Sequence, residues 1–169
     1  SLKASTAMQG RFQVKLANGS EHVRFADGSM FAPIAVTKTA GHGETLDDGT
    51  LDEAFAQVDD RVESAWNPAM ITRRQAQLWI VSTAGTATST YLRGKVDDGR
   101  NVVEADPGHG VCYVEYSADE DADPGDPRVW RTCMPALGHT IPEEAIRAEW
   151  EKHVREGKVA EFRRAYLNQ

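Results

Sequence analysis

Residues 77–85 are Gln77-Leu78-Trp79-Ile80-Val81-Ser82-Thr83-Ala84-Gly85, a short apolar run that ends in a cluster of small residues. The run is rich in β-forming residues, and Tyr91, Leu92 and Val96 follow it at helical spacing. A strand, a small-residue loop and a helix in this order are typical of an α/β layer. In such layers, ligands bind beyond the carboxyl ends of parallel strands. We therefore predict an α/β fold with a ligand site near residues 82–85.

An acidic pair lies upstream, in Leu51-Asp52-Glu53-Ala54, where we expect another strand to end. At an irregular strand end, one carboxylate can hold Mg²⁺ through its water shell while the other polarises an attacking water. Taken alone, the pair is better interpreted as the start of a solvated helix, because carboxylates are stabilised electrostatically at helix N-termini.

The N-terminal region predicts an antiparallel β-hairpin. Apolar and polar residues alternate around Phe12, Val14 and Leu16, and the alternation resumes after Asn18-Gly19, a dipeptide typical of hairpin turns. A third strand over residues 30–36 is more continuously apolar, so we expect it to be buried on both faces.

The remaining elements follow from periodicity and from helix-terminating signals. We predict a helix over residues 54–66 that ends at Asn67-Pro68, and a strand over residues 111–116. A mobile exposed loop is expected over residues 119–127. Two C-terminal helices separated by Gly157 should follow, and the first should start at a capping box, Thr140-Ile141-Pro142-Glu143.

The composition is that of an ordinary globular protein. Of 169 residues, 40% are hydrophobic and 27% are charged, so we expect one folded domain over residues 1–169. The net charge of −7 argues against nucleic-acid binding over the whole surface. Since no long apolar run or signal sequence is present, we expect a cytoplasmic protein without a membrane segment. We interpret Cys112, Cys133 and the four tryptophans as core residues.

Several short motifs follow one another along most of the chain, from about Phe25 onward. They are Asp52-Glu53-Ala54-Phe55, Trp66-Asn67-Pro68-Ala69, Thr72-Arg73-Arg74, the run over residues 77–85, Trp130-Arg131, Pro135-Ala136-Leu137-Gly138 and Phe162-Arg163-Arg164-Ala165-Tyr166-Leu167-Asn168. In this order and spacing, the motifs resemble the large terminase subunit of tailed bacteriophages.

The resemblance implies a motor that uses ATP and Mg²⁺ to package double-stranded DNA into proheads in the bacterial host cell. A P-loop ATPase domain precedes a nuclease domain in this family, and the portal and the small terminase subunit are its partners. The implied fold is part of a P-loop NTPase-like parallel sheet flanked by helices. We expect the antiparallel β-hairpin to lie at the N-terminal end of this fold.

The resemblance also implies residue roles. Asp52 matches the Walker B aspartate that positions Mg²⁺, and Glu53 matches the catalytic glutamate that orients the attacking water. Arg73 or Arg74 would lie near the phosphates, unless they form a solvated turn. Ser82, Thr83, Ala84 and Gly85 match the coupling motif of the family, which senses the nucleotide. We expect this loop and the acidic pair to converge at one edge of the sheet.

Two features depart from the family pattern. The sequence contains no Gly-x-x-x-x-Gly-Lys-[Ser/Thr] loop, which lies upstream of these motifs in the family. We therefore expect the chain to be the back half of an ATPase domain, compatible with a monomer and unable to turn over ATP usefully by itself. Residues 48–51 also stand where a Walker B strand normally has four apolar residues.

Two other hypotheses remain open. The chain is alternatively a non-catalytic, prophage-derived remnant or an interaction module without nucleotide chemistry. A less favoured hypothesis is hydrolysis by two metal ions about 3.5–4 Å apart, held by a cluster of carboxylates. The cluster comprises Asp47, Asp48, Asp52 and Glu53.

Overall fold

The computed structural model describes residues 6–35, 45–105 and 110–169. Contacts divide the chain into two units. The first consists of Ser1–Asp47 and Arg61–Gln75, and the second consists of Asp48–Asp60 and Ala76–Gln169. Within the described residues, no helix is both long enough and apolar enough to span a membrane.

The described residues of the first unit form a short 3-10 helix, three strands and one α-helix. These are the 3-10 helix Thr6–Met8, β1 (Phe12–Lys15), β2 (His22–Phe25), β3 (Met30–Phe31) and α1 (Arg61–Met70). The strands form an antiparallel sheet in the order β1-β2-β3. The predicted antiparallel hairpin is therefore confirmed.

The third strand is shorter and more exposed than predicted. β3 has two residues, and Met30 and Phe31 are 50% and 66% exposed. Among the described residues β3 pairs with β2 alone, so it is an edge strand. The prediction that Met30 and Phe31 lie in a strand buried on both faces was therefore wrong. Val36, the last residue of the predicted strand, lies outside the described residues.

Helix α1 starts later and ends later than predicted. It begins at Arg61 and continues through Pro68 to Met70, whereas Ala54–Ala56 form a separate 3-10 helix. A proline inside a helix removes one backbone hydrogen bond. Burial of Trp66 and Met70 on either side of Pro68 offsets the cost of the lost hydrogen bond, so the helix continues beyond the proline.

In the part of the second unit that the structure describes, a parallel pair of strands is combined with four α-helices. The elements are β4 (Asp48–Leu51), the 3-10 helix Ala54–Ala56, β5 (Gln77–Ile80), α2 (Thr90–Ala105), α3 (Pro127–Cys133), α4 (Glu143–Arg155) and α5 (Val159–Tyr166). The described part of the chain is thus a mixed α/β structure, with one antiparallel and one parallel sheet.

The parallel pair explains the unusual composition of β4. Leu51 pairs with Ile80, and Thr50 pairs with Trp79. Along β4, Gly49 and Leu51 are buried while Asp48 and Thr50 are exposed, so only one face of the strand needs to be apolar. Trp79 is 55% exposed on β5, so its interpretation as a core residue was wrong.

Helices α3, α4 and α5 enclose an apolar core. Phe162 is fully buried, and the centre of its ring lies 4.8 Å from that of Tyr166 and 5.1 Å from that of Trp150. Gly157, with a φ of 70°, turns the chain between α4 and α5. The two predicted C-terminal helices are therefore confirmed. The buried members of this core are Trp130, Cys133, Ile146, Phe162 and Leu167.

The predicted capping box does not form at the start of α4. Pro142 occupies the N-cap position without a side-chain hydrogen bond, and the helix begins at Glu143. Glu143 and Glu144 lie in the first turn, where their negative charge is favourable for the helix dipole.

Hydrogen bonds from α3 and α5 reach three carbonyls of the segment over residues 119–127, for which the sequence predicts a mobile exposed loop. Arg163 donates to the carbonyls of Glu120 and Ala122, at 3.2 and 3.0 Å. The indole N–H of Trp130 donates to the carbonyl of Pro124 at 2.8 Å. Although the segment is rich in charged residues, its backbone carbonyls accept hydrogen bonds from buried or half-buried side chains.

Residues 111–116 form no strand, so that prediction was also wrong. Side chains, rather than a backbone ladder, attach this segment to α2. The Glu115 carboxylate accepts two hydrogen bonds from Arg100, at 2.6 and 2.9 Å, and one each from Tyr113 and Ser117, at 2.6 and 2.7 Å. Cys112 is exposed in the same segment, whereas Cys133 is buried as expected.

The hydrogen bonds at Glu115 shift the pKa values of the side chains involved. Donation by Arg100 is the largest cause that lowers the pKa of Glu115 to about 2. Burial is the largest cause that raises the pKa of Tyr113 to about 12. At neutral pH the cluster is therefore an ionised carboxylate that accepts from a protonated guanidinium and a protonated phenol.

The contact between Tyr113 and α2 predicts opposite effects for two glycine substitutions. A Cβ at Gly99 would overlap with the ring of Tyr113, whereas a Cβ at Gly94 on the same helix meets no atom within 4 Å. We expect Gly94→Ala to stabilise the protein by about 0.5–1 kcal/mol through helix propensity. Gly99→Ala should be less stable than Gly94→Ala by about 1–3 kcal/mol because of overpacking. Urea unfolding measures both, and equal stability would contradict the Tyr113 contact.

The lowered pKa of Glu115 predicts a stability contribution that disappears in acid. Because the folded-state pKa lies below the unfolded one, this contribution is complete above about pH 4.5 and is lost as the pH falls towards 2. The difference in unfolding free energy between wild type and Glu115→Gln should therefore shrink between pH 6 and pH 2.5. The same comparison for Glu104→Gln, an exposed residue of α2, is the control. A constant difference for Glu115→Gln would contradict the expectation.

Candidate functional site

The acidic pair forms a tight turn directly after β4. The N–H of Glu53 donates to Oδ1 of Asp52 at 2.8 Å, and both side chains are exposed. Glu53 has a φ of 52° and a ψ of 47°, a left-handed conformation that is unfavourable for a residue with a Cβ. Such backbone strain is concentrated at functional sites in proteins.

Parallel pairing of β4 with β5 brings the acidic turn to the loop of residues 82–85. The N–H of Val81 donates to the carbonyl of Leu51 at 2.9 Å, and the N–H of Ala54 donates to the carbonyl of Val81 at 3.1 Å. Oγ of Ser82 then accepts from the N–H of Phe55 at 3.0 Å. Three hydrogen bonds therefore join the two strand ends, one on each side of Asp52 and Glu53 and one at Phe55.

A residue that the sequence analysis did not single out also takes part in this junction. Oγ of Ser89 donates to the carbonyl of Phe55 at 2.8 Å and accepts from the N–H of Thr86 at 3.1 Å. Ser89 directly precedes α2, where a serine is usually interpreted as the cap of its own helix. A serine before a predicted helix was visible in the sequence, but that pattern does not indicate a hydrogen bond from its hydroxyl to Phe55, 34 residues away.

Arg73 and Arg74 lie in the first unit, in the exposed turn after α1. Nε of Arg73 forms an ion pair with Oδ1 of Asp47 at 3.3 Å. This geometry agrees with the solvated turn that the sequence analysis kept as an alternative. A position near phosphates stays a prediction for both arginines.

Asp52 offers one carboxylate to a metal ion. Mg²⁺ is usually held by one or two carboxylates together with water and phosphate oxygens, so a single exposed carboxylate fits an ion that arrives with a nucleotide. Within residues 6–35, 45–105 and 110–169, no three His, Cys, Asp or Glu side chains form a metal-binding group. The Asp47, Asp48, Asp52 and Glu53 cluster of the two-metal hypothesis is therefore not assembled.

Comparison with solved structures gives a match that covers 99% of this chain. It is the crystal structure of the HK97 bacteriophage large terminase, with a TM-score of 0.80 and 22% sequence identity. The chain has the fold of part of a phage large terminase. It spans 35% of the length of the HK97 terminase chain. No protein-family model and no curated protein matches the sequence.

The match to the terminase fold agrees with the resemblance noted in the sequence. At 22% identity it establishes the fold, and the roles of individual residues remain predictions. The structure brings together six of the eight candidate residues at one end of the parallel strand pair. These are Asp52, Glu53, Ser82, Thr83, Ala84 and Gly85.

The left-handed backbone at Glu53 predicts that glycine is preferred over alanine at this position. Both substitutions remove the carboxylate, but only alanine retains a Cβ, so Glu53→Gly should be more stable than Glu53→Ala by about 1 kcal/mol. At Glu151, an exposed position inside α4, the order should reverse by a similar amount, about 1 kcal/mol. Urea unfolding of the four variants tests this. The same order at both positions would contradict the positive φ of Glu53.

Proposed function

We propose that this chain is part of the ATPase domain of a phage DNA-packaging motor, the large terminase. Two observations support the proposal. The terminase fold extends over 99% of the chain, and hydrogen bonds from the residues on either side of the acidic pair attach it to Val81 and Ser82, where the adjacent parallel strand ends and the small-residue loop begins. The second observation carries more weight for function, because it concerns the residues whose chemistry ATP hydrolysis needs.

The acidic turn offers two carboxylates for two different tasks. Bound Mg²⁺·ATP supplies the phosphoryl group that is transferred to water. Asp52 would hold the ion, since its carboxylate is exposed and directly follows the buried end of β4. Glu53 would accept a hydrogen bond from the attacking water and orient it, since its carboxylate is exposed next to Asp52 in the same turn.

The loop of residues 82–85 is suited to report on the nucleotide. Ser82 accepts from Phe55 and donates to the carbonyl of Thr83 at 2.7 Å, so its hydroxyl links the acidic turn to the path of the loop. A shift of the acidic turn after hydrolysis would therefore alter the loop. This is the coupling role that the sequence resemblance implies for Ser82, Thr83, Ala84 and Gly85.

The remaining features of the proposal belong to the complete motor. They are a P-loop NTPase-like sheet completed by a phosphate-binding loop, double-stranded DNA as substrate, the portal and the small terminase subunit as partners, and the cytoplasm of a bacterial host as location. The alternative is a non-catalytic, prophage-derived remnant or interaction module. The experiment below separates the two.

The test is ATP hydrolysis by the complete product of the reading frame that encodes these 169 residues. We expect DNA-stimulated hydrolysis, and we expect Glu53→Gln to lower kcat by about 10²-fold or more, because the attacking water loses the carboxylate that orients it. Asp52→Asn should raise the Mg²⁺ concentration needed for half-maximal activity. Glu151→Gln, which changes an exposed carboxylate on α4, is the matched control and should leave kcat unchanged.

Two results would contradict the proposed function. Absence of ATP hydrolysis by the wild-type product would favour the remnant or interaction module. Hydrolysis that is equally fast in wild type and Glu53→Gln would show that another residue orients the water.

A further inference from the structure

Phe55 is held by both of its backbone polar groups, and both partners are serine hydroxyls. Its N–H donates to Oγ of Ser82 at 3.0 Å, and its carbonyl accepts from Oγ of Ser89 at 2.8 Å. Phe55 lies two residues after Glu53 in the sequence. The two hydroxyls therefore fix the path of the chain immediately after the acidic pair.

Ser89 occupies the less accessible of the two positions. It is 7% exposed, and its hydroxyl donates to Phe55 while accepting from the N–H of Thr86. A serine hydroxyl has one proton, so the donation to Phe55 leaves none for another acceptor. The backbone carbonyl of Ser89 accepts from the N–H of Arg93 at 3.0 Å, at the start of α2. Ser89 thus joins Phe55, two residues after the acidic pair, directly to this helix.

Gly85 provides the space that Ser89 needs. A Cβ on Gly85 would lie 2.5 Å from Cβ and 2.6 Å from Oγ of Ser89. Both distances are far below van der Waals contact, so any larger residue at position 85 would displace Ser89. The last residue of the small-residue loop therefore has a steric reason to be glycine, and that reason is the position of Ser89.

We propose that Ser89 is a positioning residue for the acidic pair. Through Phe55, Ser89 fixes the positions of Asp52 and Glu53 relative to the loop of residues 82–85. A movement of the N-terminus of α2 would therefore move the acidic turn with it. The catalytic consequence rests on the proposed function. The structural consequence does not, because it concerns hydrogen bonds that exist without a nucleotide.

The structural part is tested by amide hydrogen exchange of the 169-residue chain, measured by NMR. In wild type we expect protected amides at Phe55 and Thr86. In Ser89→Ala both amides should exchange about tenfold faster. Acceleration at Thr86 alone would reflect a local hydrogen bond, whereas acceleration at Phe55 requires that Ser89 position this residue, since the Phe55 amide bonds to Ser82.

Thr88→Ala is the matched control, because it removes a hydroxyl next to Ser89 that bonds to Thr86 Oγ1 and not to Phe55. The Phe55 amide should keep its wild-type exchange rate in this variant. An unprotected Phe55 amide in wild type would overturn the proposal without any variant. Unchanged exchange of Phe55 in Ser89→Ala would overturn it as well.

The catalytic part is tested with the complete product of the reading frame. Ser89→Ala should lower kcat for ATP by about tenfold while KM stays within about twofold, because Ser89 orients the acidic pair and does not bind the nucleotide. Gly85→Ala should lower kcat in the same way, and Thr88→Ala should not. Equal kcat in wild type and Ser89→Ala would overturn the positioning role. Absence of hydrolysis in wild type would instead overturn the proposed function, and the exchange experiment would still decide the structural part.

Discussion

The junction between the acidic turn and the loop of residues 82–85 depends on parallel pairing of two four-residue strands. With Leu51 opposite Ile80, β4 and β5 end side by side, and the polar residues that follow them must meet. Backbone hydrogen bonds between Leu51, Val81 and Ala54 extend the pairing past the strands. A shift of one residue in this register would turn Leu51 out of its buried position and separate the hydroxyl of Ser82 from Phe55.

Helix α2 connects this junction to other parts of the second unit. At its start, Ser89 bonds to Phe55. About one and a half turns before its end, the ring of Tyr113 packs closely on Gly99, and Arg100 donates to Glu115. The segment that carries Tyr113 and Glu115 leads to Ala118, whose N–H donates to the carbonyl of Leu167 after α5. Contiguous contacts therefore run from the acidic turn to the C-terminal helices. Such a path is one physical route by which the two ends could be coupled, and double-mutant cycles measure whether they are.

The sequence predicted those features that depend on local pattern. Alternation and turn dipeptides gave the antiparallel hairpin, and helical spacing gave α2, α4 and α5. It failed where long-range contacts decide the structure. Glu115 is held by Arg100, and residues 119–127 are held by Arg163, partners that no local pattern indicates. In the candidate site, the acidic pair and the loop were found by residue type and order, whereas Ser89 was missed because its hydroxyl bonds across the fold.

We propose that the acidic turn and the loop of residues 82–85 form one nucleotide-dependent unit. The most direct measurement is a structure of the complete product of the reading frame with Mg²⁺ and a non-hydrolysable ATP analogue. We predict Mg²⁺ bound to the Asp52 carboxylate, directly at about 2.1 Å or through one water, with Glu53 facing the γ-phosphate and Phe55 still bonded to Ser82 and Ser89. A nucleotide bound elsewhere, with the Asp52 and Glu53 carboxylates in solvent, would contradict the claim.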